Sequence, residues 1–351
     1  AAALLMQEWF PHISMWIWTI IFAITIFVLN LSSTRIFAES EFWLALVKVV
    51  TVVAFIILGL LAIFSLIPFH GAESAPLFHN LTAQGWFPQG LVPIFTTMLI
   101  VNFAFSGTEL IGVAAGETKD PAVNVPKAIN AAIWRLLIFF VGTIVVISAL
   151  LPFQVAGLGG ESVSNSPFVT VFNYIGIPYA DDIMRFVIIT ALLSAANSGL
   201  YAASRMMWSL SAQRQLPQVF SRLSSSGTPV IALVVTMFGA IPGLLSEHFA
   251  PETIFKNLLG IAAFTMVIVW MSICWSQFNF RRAWYKAGHS AKDLKFAAPL
   301  YPIVPILGFV FCFITGLSMA ADPEMQAGFI GCLLFIAACY LSHYLFYRDR
   351  K

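Results

Sequence analysis

Charged residues are scarce in this chain. Only 10% of its 351 residues are Asp, Glu, Lys or Arg, whereas 60% are hydrophobic. A soluble globular domain has roughly 25% charged residues, so the composition excludes an ordinary soluble protein. Nucleic acid is also excluded as a partner, because no basic domain or basic-aromatic stripe is set apart from the apolar runs. The composition therefore predicts an all-α polytopic membrane protein.

Cysteines and catalytic motifs are scarce as well. The sequence contains four cysteines, all within apolar runs, and we expect them to be small buried side chains rather than disulfides or metal ligands. They are Cys274, Cys312, Cys332 and Cys339. No HExxH, GxSxG or Walker motif occurs in the sequence. We therefore expect neither an enzyme nor a cofactor or metal site.

Apolar stretches long enough to cross a bilayer as helices fill most of the chain. The sixth of them, Val230–Leu245, is short and contains Pro242 and Gly243. Between the fourth and fifth, Ser166–Tyr174 could hold a short interfacial helix. The nine predicted spans are Ile13–Leu31, Phe42–Ile67, Leu91–Ala115, Pro126–Leu151, Ile183–Leu210, Val230–Leu245, Ile254–Phe278, Val304–Ala320 and Ala327–Phe346.

Basic residues are distributed unevenly between the two sides of these spans. Of the 18 lysines and arginines, Lys48 lies within a span and only Arg185 and Lys256 lie on one side. Because basic residues concentrate in cytoplasmic loops, we expect a multi-pass protein of the plasma membrane, or of a bacterial inner membrane, with a cytoplasmic C-terminus. Nine spans then place the N-terminus outside, although Ala1–Trp9 has no signal-peptide character. We expect a chain that lacks an odd number of N-terminal spans.

A polar interruption lies in the middle of the third span, at Ser106–Glu109. Gly107 is a poor helix former, and a carboxylate in hydrocarbon costs at least ~2.5 kcal/mol. Irregular backbone at membrane depth is stable only where protein or a water-filled cavity surrounds it. We therefore predict a discontinuous helix whose two half-helix ends bind a solute near the bilayer midplane. The alternative is a packing glycine beside a carboxylate that pairs with a neighbouring helix.

Other polar residues within or beside the spans have two interpretations each. Lys48, about two turns into the second span, either snorkels to the surface or gains and loses a proton as a desolvated ammonium. Glu117, at the end of the third span, most simply pairs with a nearby basic residue. A small-residue run in the fifth span either permits close helix packing or places oxygens beside a cation. The polar members of that run are Ser194, Asn197 and Ser198.

These motifs resemble the amino acid–polyamine–organocation superfamily, in its amino acid transporter branch. The resemblance covers essentially the whole chain and rests on NFAFSGTELIGVAAGE from Asn102, EFWLALVKVVT around Lys48, LLSAANSGLYAASRMMWSL from Leu192 and FRRAWYKAGHS from Phe280. It implies one transporter domain over residues 1–351, with a five-plus-five inverted repeat and two further helices. The chain would match helices four to twelve of a twelve-helix permease. Two further stretches, STRIFAESEFW and NLTAQGWFP, are most similar to S-methylmethionine permeases.

The resemblance also implies roles for individual residues. Phe103 would form an aromatic gate, and the backbone at Ser106–Thr108 would contact the α-amino and carboxylate groups of the substrate. Glu109 would be a proton-sensitive carboxylate, and the ammonium of Lys48 would stand where sodium-coupled relatives bind sodium. Glu117 matches an acidic position of lysine-preferring members.

The sequence therefore predicts a secondary active amino-acid transporter that imports its substrate with protons by alternating access. S-methylmethionine is one candidate substrate, and its sulfonium cation would be bound by aromatic faces and a carboxylate. The alternatives are a permease for lysine, an aromatic amino acid or 4-aminobutyrate, and a membrane solute receptor without transport. The predicted substrate-binding residues are Phe103, Phe105, Ser106, Gly107, Thr108 and Glu109. The predicted proton-coupling residues are Lys48, Glu109 and Glu117, and the fifth-span residues Ser194, Asn197 and Ser198 lie beside the substrate or a cation.

Overall fold

The computed structural model describes most of the chain. The described residues are 2–32, 34–71, 76–83, 104–152, 166–241, 251–321 and 326–347, with scattered residues between 85 and 101. They contain helices and turns and no strand. The α-helices, in chain order, are α1 (Ala2–Trp9), α2 (Met15–Leu31), α3 (Thr34–Ile63), α4 (His79–Thr82), α5 (Leu110–Ala114), α6 (Pro121–Leu136), α7 (Gly142–Leu150), α8 (Pro167–Ile175), α9 (Ala180–Ala212), α10 (Val230–Met237), α11 (Pro251–Lys286), α12 (Ile303–Ala321) and α13 (Gln326–Tyr347).

Helices form at each predicted span that the described residues cover. Five helical stretches are long and apolar enough to cross a membrane: Arg35–Ile63, Pro121–Leu150, Ala180–Ala212, Gly260–Lys286 and Ile303–Ala320. Shorter apolar helices lie at Met15–Leu31, Val230–Ala240 and Gly328–Ser342. Part of the predicted span Leu91–Ala115 lies outside the described residues, so the number of nine crossing helices stays a prediction.

Long helices form here because their sequences contain few helix breakers. α3 and α9 run for 30 and 33 residues without a proline. Their apolar residues surround most of the helix circumference, as in helices that are buried or face lipid. α6 continues into α7 through a π-helical turn at Leu137–Val141, a wider turn that is frequent at functional sites.

The described helices form two compact units. The first contains residues 1–90, 130–204 and 222–238, and its core lies between α3, α7 and α8. A Cβ atom at Gly59 would lie 2.2 Å from Cγ1 of Val146, so glycine allows α3 to approach α7. Phe55 is fully buried and packs against two phenylalanines of α8. Its ring centroid lies 4.6 Å from that of Phe168 and 5.5 Å from that of Phe172.

The predicted short helix between the fourth and fifth spans is confirmed as α8. Pro167 opens this helix, a position where a missing backbone N–H costs nothing. Gly176 ends it in the left-handed conformation, at φ +90°, and its N–H donates to carbonyl oxygens of the last turn.

An ion-pair cluster joins α1 to the first turn of α9 within the same unit. Arg185 is buried, pairs with Glu8, and donates to Oδ1 of Asp182 over 2.9 Å. The indole N–H of Trp9 donates to the same carboxylate over 2.7 Å, and the guanidinium lies 5.4 Å from the Trp9 ring. Pairing and hydrogen bonding offset the desolvation of the guanidinium.

The second unit contains residues 91–129, 205–221 and 239–351. Here α11 packs against α12 and α13 around a core that includes Phe264, Met319, Cys312 and Cys332. The expectation that all four cysteines are buried is confirmed for Cys312 and Cys332; Cys274 is half-buried, and the expectation is wrong for Cys339, which is exposed. It lies on the outer side of α13, where a small apolar side chain is compatible with a lipid environment.

Candidate functional site

The predicted interruption of the third span is confirmed in the described residues. A turn covers Phe105–Glu109, and helix resumes at Leu110. Gly107 adopts φ +98°, a left-handed conformation that residues with a Cβ atom rarely adopt. It is exposed, and no heavy atom lies within 4 Å of the position that a Cβ would occupy. Glycine is required here for backbone conformation rather than for space.

The carboxylate of Glu109 folds back over this turn. Its two oxygens accept the N–H of Gly107 over 3.0 and 3.1 Å. The indole N–H of Trp270, on α11, donates to Oε2 over 3.1 Å. Glu109 is half-buried, and these donors offset part of the cost of its desolvation. The carboxylate is thus held at the interruption in a fixed position.

Lys48 lies in the middle of α3, and its ammonium donates a hydrogen bond to Oγ of Ser194 over 2.9 Å. Ser194 is on α9 and is 99% buried. The two groups that the sequence singled out separately, the second-span lysine and the fifth-span small-residue run, are therefore in direct contact. The acceptor is a neutral hydroxyl, so Ser194 solvates the ammonium without neutralising its charge.

A carboxylate completes this contact. The hydroxyl of Ser194 donates to Oε1 of Glu41, and the side-chain amide of Asn197 donates to Oε2 over 3.1 Å. Asn30 of α2 donates to Oδ1 of Asn197 over 2.8 Å. Asn30 and Asn197 are both buried. The result is a polar network through α2, α3 and α9, which we call the Lys48 network: Asn30, Glu41, Lys48, Ser194 and Asn197.

A cavity of about 510 Å³ borders Lys48 on the side of α6 and α7. Its walls are apolar and include Phe139, Phe140 and Phe168, and Arg135 joins Lys48 as the second charged lining residue. The π-helical turn at Leu137–Val141 contributes part of the wall. An apolar wall keeps the local dielectric constant low, which strengthens every electrostatic interaction of the ammonium.

A comparison with protein families identifies what these features belong to. The amino acid permease family matches the sequence over residues 1–351. The chain belongs to this family. Its members are transporters rather than enzymes, and together with the apolar helices the family indicates a multi-pass membrane protein.

Curated relatives of this family member are amino acid permeases as well. A putative histidine permease of Bacillus subtilis is 45% identical over 98% of the chain and 72% of its own length. The amino-acid permease RocC of the same organism is 44% identical over the whole chain and 74% of its length. The lysine-specific permease LysP of Escherichia coli is 39% identical over the whole chain and 75% of its length.

Not every predicted site residue of this family member can be placed. Phe103 lies outside the described residues, and Glu117 belongs to a 3₁₀ turn at Ala115–Glu117 whose glutamate side chain is not described. Phe105, Ser106, Thr108 and Ser198 are half-buried. The structure brings Ser194 into direct contact with Lys48, joins Asn197 to Ser194 through Glu41, and places Glu109 beside Gly107.

Three polar partners were missed in the sequence. Glu41 precedes Lys48 by seven residues, a spacing that puts both on one helix face, so that periodicity could have found it. Asn30 is a lone amide in an apolar span, which is a weak indication of a buried polar contact. Trp270 is separated from Glu109 by 161 residues, and no sequence pattern indicates their contact.

Proposed function

We propose that this protein is a secondary active transporter that moves an amino acid together with protons by alternating access. The observation that carries the proposal is the interruption at Phe105–Glu109, where an exposed glycine backbone and a fixed carboxylate occur together inside an apolar segment. Irregular backbone with a carboxylate is expensive in a membrane and marks a site for a polar solute.

The interruption suits the two charged groups that all amino acids share. The carboxylate of Glu109 attracts an α-ammonium group or a cationic side chain. Gly107 has no side chain to keep a ligand away from the backbone of Ser106–Thr108. We propose that this turn binds the substrate, with Phe103 and Phe105 as its aromatic neighbours.

Proton coupling is assigned to Lys48, with Glu109 and Glu117 as further proton-sensitive carboxylates. A lysine in low dielectric surroundings changes protonation state readily, whereas an arginine does not. The bond from Lys48 to a neutral hydroxyl supports this role, because losing the proton breaks no ion pair with Ser194.

The relatives named for histidine and lysine support a substrate with a basic side chain. S-methylmethionine shares a positively charged side chain with lysine, although its sulfonium group is a fixed cation and not a base. A desolvated aromatic face contributes about 0.5–2 kcal/mol toward binding such a cation. Another relative is named as a γ-aminobutyric acid permease. A substrate without a cationic side chain is therefore the alternative.

We also propose the arrangement of the chain in the membrane. The uneven distribution of lysine and arginine supports a cytoplasmic C-terminus and a location in the plasma membrane, or the inner membrane of a bacterium. The family supports a five-plus-five inverted repeat with two further helices. Cysteine labelling of residues near the C-terminus in intact cells and in inverted vesicles tests the orientation.

Uptake by the full-length protein in proteoliposomes tests the function. We expect radiolabelled L-lysine, L-histidine or S-methylmethionine to accumulate above its external concentration when an inward proton gradient is imposed, and an ionophore that collapses the gradient to abolish accumulation. Binding of these three compounds without accumulation would instead support the membrane receptor. Accumulation that the ionophore leaves unchanged would contradict proton coupling.

A further inference from the structure

Glu41 and Lys48 occupy the same face of α3. They are seven residues apart, which is about 10.5 Å along the helix axis, and Glu41 lies closer to the start of the helix at Thr34. The hydroxyl of Ser194, from α9, lies between them and bonds to both side chains. A titratable base and a titratable acid are thus joined through one side chain.

The hydrogen bonds run in one direction. Lys48 donates to Oγ of Ser194, and the same hydroxyl donates its own proton to Oε1 of Glu41. A hydroxyl can accept a hydrogen bond from one partner while the same oxygen donates its own proton to another. This order of donors and acceptors is what a two-step proton transfer requires.

We propose that Glu41 receives the proton that Lys48 releases, through the hydroxyl of Ser194. In that step one N–H bond of the ammonium breaks and a new O–H bond forms on Ser194. The original O–H bond of Ser194 breaks, and an O–H bond forms on Glu41. Lys48 becomes a neutral amine, Glu41 a neutral carboxylic acid, and the hydroxyl is regenerated. This inference rests on the proposed function, which assigns proton coupling to Lys48.

The surroundings favour such a transfer. It converts two charges, both on half-buried side chains, into two neutral groups, which removes the cost of partly desolvating each charge. The charged residue that shares the cavity wall with Lys48 is Arg135, so no carboxylate of the described residues lines the cavity to pair with the ammonium there. α2 and the Phe186–Ser204 part of α9 contain no charged residue in their sequences.

Neutral amides keep Glu41 in place for this role. Asn197 donates to its second oxygen over 3.1 Å, and Asn30 in turn donates to Asn197. Ser194 and Asn197 are 1% and 0% exposed, so their polar atoms depend on these protein partners rather than on bulk water. Glu41 is nearer than Lys48 to the start of α3 at Thr34, so a proton passed from the half-buried ammonium to Glu41 moves toward that end of the helix.

Glu41→Gln in the full-length protein tests the proposal, with Glu39→Gln as the matched control because Glu39 is exposed on the same helix. The probe is whichever of radiolabelled L-lysine, L-histidine and S-methylmethionine the wild type accumulates. We expect Glu41→Gln to lower gradient-driven accumulation about a hundredfold, the contribution of a positioned proton acceptor. Exchange of external labelled for internal unlabelled substrate needs no net proton movement and is expected to persist.

A second pair of variants applies even if Glu41→Gln fails to fold. Ser194→Ala removes the bridging hydroxyl, whereas Ser194→Thr keeps one, so threonine is expected to restore the accumulation that alanine loses. Normal accumulation and an unchanged pH profile in Glu41→Gln, or equal impairment in the alanine and threonine variants, would overturn the role of Glu41. Absence of gradient-driven accumulation in the wild type would instead overturn the proposed function.

Discussion

Trp270 donates its indole N–H to the carboxylate of Glu109 over 3.1 Å and so ties the interrupted segment to α11. Among the described residues, the other donor to this carboxylate is the N–H of Gly107, which belongs to the interruption itself. Trp270 is therefore the contact that fixes the carboxylate relative to a long helix. If Glu109 binds the substrate, this contact determines how well the site is organised before binding.

The first prediction concerns that contact. Trp270→Phe keeps an aromatic ring but removes the indole N–H. A hydrogen bond to a charged group contributes about 1.5–3 kcal/mol, so the apparent KM for uptake should rise roughly tenfold or more. Trp275→Phe is the control, because Trp275 is 58% exposed on the same helix. Equal KM values in the two variants would remove Trp270 from the site.

The second prediction concerns the backbone of the interruption. Gly107→Ala forces a residue with a Cβ into the left-handed region, which costs about 1–3 kcal/mol. Gly112→Ala is the matched control, because Gly112 lies in α5 and its added Cβ would also meet open space. We expect Gly107→Ala to lower uptake, while Gly112→Ala preserves it. Comparable uptake in both variants would show that the left-handed turn is dispensable.

The third prediction concerns pH. Lys48→Arg keeps the positive charge but cannot lose it, and Lys48→Met removes it. In both variants we expect uptake to lose its dependence on an imposed pH gradient, because neither side chain cycles between two protonation states. Lys119→Arg, at an exposed position, should keep that dependence. A normal pH response in Lys48→Arg would favour a lysine that only extends toward the membrane surface.

The fourth prediction concerns packing in the second unit. A Cβ atom at Gly328 would lie 2.8 Å from the backbone of Gly260 and Ile261, whereas one at Gly331 would meet only an Ile261 side chain at 3.8 Å. Gly328→Ala should therefore lower the free energy of unfolding by about 1–3 kcal/mol through overpacking. Thermal unfolding in detergent measures this, and Gly331→Ala should melt close to the wild type. Similar melting of both variants would contradict close contact between α11 and α13.

The fifth prediction concerns the substrate. The ammonium of lysine has N–H donors that lose their hydrogen-bond partners in an aromatic pocket. A sulfonium group has no N–H donors, so it enters such a pocket without this loss and still interacts with the aromatic faces. Excess unlabelled S-methylmethionine should therefore compete with labelled uptake more strongly than lysine or phenylalanine does. Stronger competition by lysine or histidine would support the specificity for which the relatives are named and would exclude S-methylmethionine as the preferred substrate.

The comparison between sequence and structure is clearest at the interruption. Glycine, two hydroxyl residues and a glutamate within an apolar run were enough to predict where the helix breaks, because helix propensity is a local property. The short helix Pro167–Ile175 was predictable for the same reason, with proline at its start and glycine after its end. Neither prediction required knowledge of which helices are neighbours.

The sequence by itself determined that this is an all-helical, apolar chain, where its long helices lie, and that it carries rare polar groups at particular depths. Only the tertiary structure decided which of these groups meet. Lys48 and Ser194 are 146 residues apart, and Glu41 and Ser194 are 153 apart. Their contact depends on the rotation and depth at which α3 and α9 pack. Uniformly apolar helices contain little information about either, because nearly every face is compatible with burial.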